Sequence, residues 1–215
     1  MTEKVWFVTG TSTGFGKALA KELLADGYSL VATSRDTSKL DDLKPSDPDK
    51  LLKVKLDVTD KDQIKNAVDQ AIKKFGRIDV LVNNAGYGYF GSTEESDQKE
   101  VRKMFDTNFW GANDVTLAVL PYMRKARSGR ILTVTSFGGL DGFAPFSYYN
   151  ASKFALEGLF KALRKQVEPF NIHVTNIEPG AFRTDWAGRS HISAEETIDD
   201  YTRVHQESHF NEDHS

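Results

Sequence analysis

The chain has 215 residues, 39% hydrophobic and 11% aromatic, enough for one core that buries about 70% of the unfolded surface. Lysine and arginine number 28 against 31 acidic residues, and the net charge of -3 offers no basic surface for a nucleic-acid backbone. The absence of cysteine excludes disulfides, thiolate metal sites and a cysteine nucleophile. No run approaches the roughly 18 apolar residues of a membrane span. The N-terminus enters a strand pattern directly, so we expect a cytoplasmic protein with no nucleic-acid or membrane partner.

Short apolar runs alternate with helical patterns along most of the chain. Six strands are predicted, at residues 5–8, 30–33, 52–56, 78–82, 130–134 and 173–177. Two helices are predicted to end near Gly27 and Gly76. A third is predicted over 100–120, where Pro121 stops it, and a fourth over 149–167. Strands joined by helical crossovers make right-handed units, so we expect an α/β protein with a doubly wound parallel sheet covered on both faces.

The C-terminal tail differs in composition from the rest of the chain. Residues 190–215 are polar and hold four of the five histidines. Ser193 and Glu196 match a capping box, which predicts a short helix over about 193–207. His205 and His209 are four residues apart, but nothing in the pattern fixes their side chains, so we expect no metal site. We divide the chain into a main domain, 1–189, and this tail, which is either a substrate lid or a truncated cap.

A glycine-rich turn follows the first predicted strand and opens the first helix. It reads Thr9-Gly10-Thr11-Ser12-Thr13-Gly14-Phe15-Gly16. Glycines there let backbone N–H groups and a helix N-terminus approach a pyrophosphate. Glycines also occur in plain flexible loops. A P-loop is disfavoured because Gly16-Lys17 is followed by Ala18, which has no hydroxyl for magnesium.

A tyrosine and a lysine lie one turn apart on the last predicted helix. Tyr149 and Lys153 share a face, where an ammonium would bring the tyrosine pKa of about 10 toward neutrality. Such pairs also occur on ordinary helix surfaces. Ser136 favours the catalytic interpretation, because it ends a strand at the sheet edge where ligands bind. Tyr148 has no lysine four residues on, so Tyr149 is the predicted general acid/base.

Together these motifs resemble the short-chain dehydrogenase/reductase family over about residues 4–188. The glycine spacing is T-G-x-x-x-G-x-G, and further motifs follow in the family's order. They are Asn83-Asn84-Ala85-Gly86, Asn108, Ser136, Tyr149-x-x-x-Lys153 and Pro179-Gly180. The resemblance implies a Rossmann fold with strand order 3-2-1-4-5-6, and an oxidoreductase of the non-extended branch that uses a nicotinamide dinucleotide.

The resemblance also implies a role for each member of a catalytic tetrad. Tyr149 would protonate a carbonyl oxygen, or take a hydroxyl proton, while hydride moves from or to the nicotinamide. Ser136 would hold the same oxygen by a hydrogen bond. Lys153 would tune Tyr149 and bind the nicotinamide ribose. Asn108 would link Lys153 to a water chain, although it could instead cap a local kink.

The cofactor site is likewise implied by the resemblance. Its expected residues are Gly10, Ser12, Thr13, Gly14, Phe15, Gly16, Ser34, Arg35, Asp57, Val58, Asn84, Ala85, Gly86, Tyr149, Lys153, Pro179, Gly180, Phe182 and Thr184. Asp57 has a second interpretation as a strand-ending turn residue. The hydroxyl of Thr184 is expected to face the carboxamide or phosphate of the cofactor.

The end of the second strand predicts which nicotinamide cofactor binds. An acid there binds the ribose hydroxyls of NAD, and an arginine accommodates the 2′-phosphate of NADP. Ser34 takes the acid's position and Arg35 follows it, so we expect NADP. NAD stays open, because Thr13 is not the base that NADP users often have there and Asp36 is near enough to bond a ribose.

Aromatic residues dominate the loops expected over the nicotinamide. They are Tyr87, Tyr89, Phe90, Phe137, Phe143, Phe146, Phe182 and Trp186. We expect about half of them in the core and the rest around an apolar pocket. The expected substrate is a small apolar ketone, aldehyde or alcohol, as in the family's retinoid and steroid subgroup. A non-catalytic dinucleotide-binding regulator is the alternative, and an epimerase or lyase is disfavoured by the glycine spacing and the short length.

The end of the chain and two helices bear on assembly. Family members continue into a seventh strand, which we do not expect here because no apolar strand follows Ile177. The helices over 100–120 and 149–167 carry apolar residues on more than one side. One apolar stripe is enough for a helix that packs on a sheet. Since the family pairs these two helices with their symmetry mates, we expect a homodimer.

Overall fold

The computed structural model describes residues 3–180 and 191–213, with side chains up to residue 209 in the second range. Its strands are β1 Val5–Val8, β2 Ser29–Ser34, β3 Leu51–Lys55, β4 Val80–Asn83, β5 Gly88–Phe90, β6 Gly129–Val134, β7 Ile172–Ile177 and β8 His191–Ser193. Its α-helices are α1 Gly14–Ala25, α2 Lys61–Phe75, α3 Gln98–Phe105, α4 Ala112–Ala126, α5 Ser147–Val167 and α6 Thr202–Asp213.

Six strands form one parallel sheet in the order β3-β2-β1-β4-β6-β7. This confirms the predicted order 3-2-1-4-5-6, because the short strand β5 lies outside the main sheet. β5 instead pairs in parallel with β8 of the tail. Each of the six predicted strands appears within two residues of its expected bounds. Over 3–180 and 191–213, the main sheet has no seventh strand.

Alternating side chains of the strands feed two core clusters. Phe7 and Leu81 pack with residues of α2, α4 and α5, whereas Val8 and Val82 pack with residues of α1. Adjacent residues of a strand point to opposite faces, so the clusters lie on opposite sides of the sheet. Coverage of the α1 side is incomplete in the part of the chain described, because alternate residues of β7 are exposed, Ile177 at 40%.

The long helix predicted over 100–120 is divided and extends past its predicted end. α3 leads through a π-helical turn, Asp106–Gly111, into α4, which contains Pro121 and ends at Ala126. The predicted stop at Pro121 is therefore wrong. Proline deprives the Leu117 carbonyl of its helical donor, but Leu117 is 57% exposed, so water can satisfy that carbonyl.

The predicted helix over 193–207 is also wrong in its start. Ser193 belongs to β8, and α6 begins only at Thr202 after a short 3-10 turn. Glu196 does not close a capping box but lies 2.8 Å from His209 Nε2. Pairing of β8 with the distant strand β5 overrides the local capping signal.

Candidate active site

The glycine-rich turn joins β1 to α1 at the carboxyl edge of the sheet. Gly10 has a φ of +70°, a left-handed value that suits glycine. A Cβ on Gly16 would overlap the Gly10 carbonyl oxygen, so the turn packs on its own helix. No side chain caps α1 at Thr13, and its first turn carries no acid. The first backbone N–H groups of α1 are thus suited to an anion such as a pyrophosphate.

The turn after β4 is bonded directly to the glycine-rich turn. Asn84 Nδ2 donates to the carbonyls of Thr9 (2.9 Å) and Gly10 (3.0 Å). The backbone N–H of Ala85 donates to Thr9 Oγ1 at 3.0 Å. Asn84 and Ala85 therefore fix the shape of the glycine turn, a structural role beside their predicted cofactor contact.

Residues at the carboxyl ends of β2 and β3 lie at the same edge of the sheet as the glycine-rich turn, as predicted. Ser34 is buried, and its Oγ accepts from the Asp36 N–H at 3.2 Å. Arg35 is exposed. Asp36 Oδ1 accepts from the backbone N–H and the hydroxyl of Ser38, so Asp36 caps the following 3-10 turn. Asp57 likewise accepts from both groups of Thr59, so its turn role is present.

Ser136 and Tyr149 meet at the end of β6. Tyr149 is 8% exposed on α5, and Ser136 donates a hydrogen bond to its phenol oxygen, which lowers the tyrosine's pKa. Burial is the larger effect and raises the pKa of Tyr149 to about 12. The sequence predicted a lowered pKa for Tyr149, whereas in the folded protein burial raises it. The reason is that a phenolate in a buried site loses hydration that no neighbouring group fully replaces.

Lys153 lies on the same helix face, below Tyr149. Its Nζ is 5.5 Å from the centroid of the Tyr149 ring and donates to the Val134 carbonyl at 2.9 Å. Burial lowers the pKa of Lys153 to about 8. A Cβ on Gly86 would lie 3.0 Å from Asn108 Oδ1 and 3.8 Å from Lys153 Nζ, so Gly86 passes close to the Asn108 amide and lies near the ammonium.

Asn108 sits in the π-helical turn between α3 and α4 and is 1% exposed. Its Oδ1 accepts from the Tyr87 N–H (3.0 Å), and its Nδ2 donates to the Tyr87 carbonyl (2.9 Å) and to Ser152 Oγ (3.3 Å). These side-chain bonds go to Tyr87, just after the Asn84 turn, and to Ser152 on α5, rather than to Lys153. Asn108 thus fixes the backbone of Tyr87, which directly precedes β5. Its link to a water chain stays a prediction.

Tyr148 has a separate environment from Tyr149. Its hydroxyl accepts from Gln98 Nε2 at 3.0 Å, at the start of α3. The next residue along, Asn150, was not identified from the sequence. Its Nδ2 donates to the Phe143 carbonyl at 3.2 Å, and a Cβ on Gly138 would lie 2.5 Å from its Oδ1. Asn150 therefore pins the loop after Ser136 to the helix of Tyr149; its place inside the Tyr149-x-x-x-Lys153 motif was the available signal.

The last predicted cofactor segment is described only in part. The Pro179 carbonyl accepts from the Phe137 N–H at 3.0 Å, which places the end of β7 beside Ser136. Gly180 follows, and no atom of the described residues lies within 4 Å of its Cβ position. Phe182, Thr184 and the aromatic Trp186 lie outside the described residues.

Of the aromatic residues expected over the nicotinamide, the six described ones divide between core and surface, with Tyr87 and Phe146 half-buried. Tyr89 and Phe90 are buried, and Tyr89 packs in a cluster with Tyr149. Phe137 and Phe143 are 52% and 37% exposed, with ring centroids 5.6 Å apart. This pair forms an apolar surface directly after Ser136.

In the described residues, no helix is both long and apolar enough to cross a membrane.

The family model described as short chain dehydrogenase matches residues 4–194 of the chain. The 3-ketodihydrosphingosine reductase of Bacteroides thetaiotaomicron is 41% identical over 194 residues, which are 90% of this chain and 69% of that protein. Retinol dehydrogenase 8 of Homo sapiens is 38% identical over 189 residues, 85% of this chain and 60% of that protein. The chain thus spans between three fifths and about two thirds of the length of these relatives.

Solved structures agree with this relationship. A short-chain dehydrogenase from Streptomyces avermitilis superimposes with a TM-score of 0.90 at 41% identity, covering 96% of this chain and 76% of that one. ElxO with NADP bound gives 0.80 at 33% identity, covering 86% and 76%. The 3-ketoacyl-(acyl-carrier-protein) reductase of Brucella melitensis with NADH gives 0.80 at 30% identity, covering 84% and 77%.

Proposed function

The chain belongs to the short-chain dehydrogenase family of oxidoreductases, and on that premise we propose that it interconverts an apolar ketone or aldehyde and its alcohol with NADP. The observation that carries this proposal is the group at the carboxyl edge of the sheet in which half-buried Ser136 meets buried Tyr149 and Lys153. A nicotinamide dinucleotide supplies the hydride, or accepts it, when bound.

Proton transfer at the substrate oxygen falls to Tyr149. In reduction, its phenolic O–H gives a proton to the carbonyl oxygen as the carbonyl carbon gains hydride, which leaves an alcohol and a phenolate. A pKa of about 12 keeps this proton on Tyr149 at neutral pH. Ser136 holds the same oxygen, and the Lys153 ammonium stabilises the phenolate until solvent returns a proton.

Binding of the dinucleotide fits the residues at the sheet edge. The pyrophosphate would lie at the uncapped N-terminus of α1, beside Ser12 and Gly14. The 2′-phosphate would pair with Arg35, because Asp36 is occupied by Ser38 and no carboxylate stands at position 34. ElxO, a relative of this fold, is known with NADP bound, which supports the choice.

An apolar substrate is favoured by the surface next to the catalytic group. Phe137, Leu140 and Phe143 follow Ser136 and are 52%, 47% and 37% exposed. Retinol dehydrogenase and 3-ketodihydrosphingosine reductase, whose names denote substrates with long apolar parts, are among the relatives.

A homodimer is the proposed assembly. Trp110 in the π-helical turn and Leu117 on α4, seven residues apart, are 53% and 57% exposed, and Phe154 on α5 is 46% exposed. Large apolar side chains exposed on two adjacent helices suit a self-complementary, twofold interface.

The absorbance of the reduced nicotinamide tests the activity. The purified protein should consume NADPH faster than NADH with a panel of apolar ketones and aldehydes. Binding of NADPH without turnover of any carbonyl or alcohol would instead favour the non-catalytic regulator.

A further inference from the structure

Glu95 has a buried carboxylate that is bonded mainly to the C-terminal tail. Its side chain is 1% exposed. Oε1 accepts from the backbone N–H groups of Thr197 (2.8 Å) and Ile198 (2.9 Å), and His205 Nε2 lies 2.9 Å from Oε2. Ser92 Oγ donates to Oε2 at 2.6 Å and is the local partner. Three of these four partners are more than 100 residues away along the chain.

The charge of Glu95 makes these bonds specific. A buried carboxylate is costly unless donors surround it. The hydroxyl of Ser92 and then His205, Thr197 and Ile198 lower the pKa of Glu95 to about 2, so the group is ionised at neutral pH. Withdrawal of the tail would leave an anion with one donor. The carboxylate therefore stabilises one placement of the tail.

Other contacts near Glu95 continue the attachment in both directions. Before it, β5 pairs with β8, and the Ala194 N–H donates to the Phe90 carbonyl at 2.8 Å. Beside it, Glu94 accepts from the Tyr201 hydroxyl at 3.0 Å. Backbone pairing fixes the tail only as far as Ala194, so Glu95 is the buried anchor for the chain leading into α6.

The anchored helix α6 closes one side of a cavity of about 450 Å³. The other side is the 3-10 segment Ala144–Phe146 with Phe143, which leads directly into the helix of Tyr149. Phe146 also packs against the cluster that contains Tyr149. α6 contributes Arg203, Gln206 and Glu207, so the cavity has an aromatic floor and a polar wall.

We propose that Glu95 is a positioning residue, which docks α6 on residues 143–146 and so forms the cavity that takes the apolar body of the substrate. The inference rests on the proposed carbonyl reduction. Substrates too small to reach the cavity would not depend on Glu95, whereas those with a long apolar chain would. The carboxylate acts only through the tail and touches no reacting atom.

The variant Glu95→Gln tests this with 2-decanone and 2-butanone as the long and short ketones, and NADPH as cofactor. The amide keeps the size of the side chain but removes the charge. We expect the KM for 2-decanone to rise at least about tenfold, because the loss of one charge-assisted hydrogen bond weakens binding by about that factor. The KM for 2-butanone should change less than about threefold, and the NADPH Kd likewise. Glu22→Gln, the same change at an exposed position on α1, is the matched control and should leave both KM values unchanged.

Hydrogen exchange gives a readout that does not require turnover. In Glu95→Gln, amides of residues 197–209 and 143–146 should exchange faster, while those of β1 and β4 should not. Equal losses with both ketones, or unchanged exchange of the tail, would overturn the proposal. If the wild-type protein reduces neither ketone, the proposed function is wrong. The attachment of the tail by Glu95 is then tested by hydrogen exchange alone.

His205 provides a second variant if Glu95→Gln does not fold. His205→Ala should raise the 2-decanone KM and the tail exchange, and His205→Gln, whose amide can donate to Glu95, should restore both. Failure of the glutamine to restore either would count against the anchor.

Discussion

Gly16→Ala tests the packing that shapes the cofactor turn. The added Cβ would overlap the Gly10 carbonyl oxygen and Asn84 Nδ2, and would lie 3.0 Å from the Gly10 carbonyl carbon. Two of these neighbours are backbone atoms, so the turn itself has to move. The move also breaks the bonds from Asn84 to the Thr9 and Gly10 carbonyls.

The magnitude follows from these contacts. Overpacking costs about 1–3 kcal/mol, and each of the two hydrogen bonds contributes about 1 kcal/mol, so the free energy of unfolding should fall by about 3–5 kcal/mol. For a chain of this size the Tm should fall by roughly 6–20 °C. A displaced turn no longer presents the N-terminus of α1, so the Kd for NADPH should rise at least about tenfold.

Thermal unfolding and fluorescence titration with NADPH measure the two effects. Gly142→Ala is the matched control, because the same methyl group there meets nothing within 4 Å and the backbone is not left-handed. A Gly16→Ala variant with the Tm and the NADPH Kd of the control would refute the account of this turn.

Three further results are expected. Burial lowers the pKa of Lys153 to about 8, whereas that of Tyr149 is about 12. The rate of carbonyl reduction should therefore fall as pH rises through about 8, where the ammonium is lost, and Lys153→Arg should show no such fall even if it is slower; a fall at the same pH in both proteins would contradict this. The double change Ser34→Asp with Arg35→Ala should raise the KM for NADPH far more than the KM for NADH. If the wild-type protein already binds NADH more tightly than NADPH, the proposed choice of NADP is wrong. Trp110→Glu should convert a dimer to a monomer in light scattering at micromolar concentration, and a wild-type monomer would reject the dimer.

Local patterns predicted the strands and the site because both depend on local chemistry. The apolar runs of β4 and β6 mark strands within the sheet, Ser136 follows the end of β6, and Tyr149 and Lys153 lie one turn apart on α5. The structure brings Ser136, Tyr149 and Lys153 together as predicted. A one-turn spacing on one helix and a position at a strand end were enough to indicate this.

Long-range contacts account for what sequence patterns missed. The tail pairs with β5 and bonds to Glu95, partners that no local capping signal reveals. Pro121 continues a helix because the carbonyl it leaves unpaired is near solvent, which depends on the tertiary placement of Leu117. The pKa of Tyr149 depends on its burial, which spacing along a helix cannot give.

In the proposed reduction, Tyr149 transfers the proton to the substrate oxygen. This role is tested most directly by NADPH consumption in Tyr149→Phe beside Tyr148→Phe, with the NADPH Kd measured for each. We expect turnover by Tyr149→Phe to fall about 10²–10⁴-fold or more with an unchanged Kd, because the ring stays and only the transferable proton is lost. Tyr148→Phe loses a bond to Gln98 and should stay active. Near-normal turnover by Tyr149→Phe, or the same loss in Tyr148→Phe instead, would contradict the assignment.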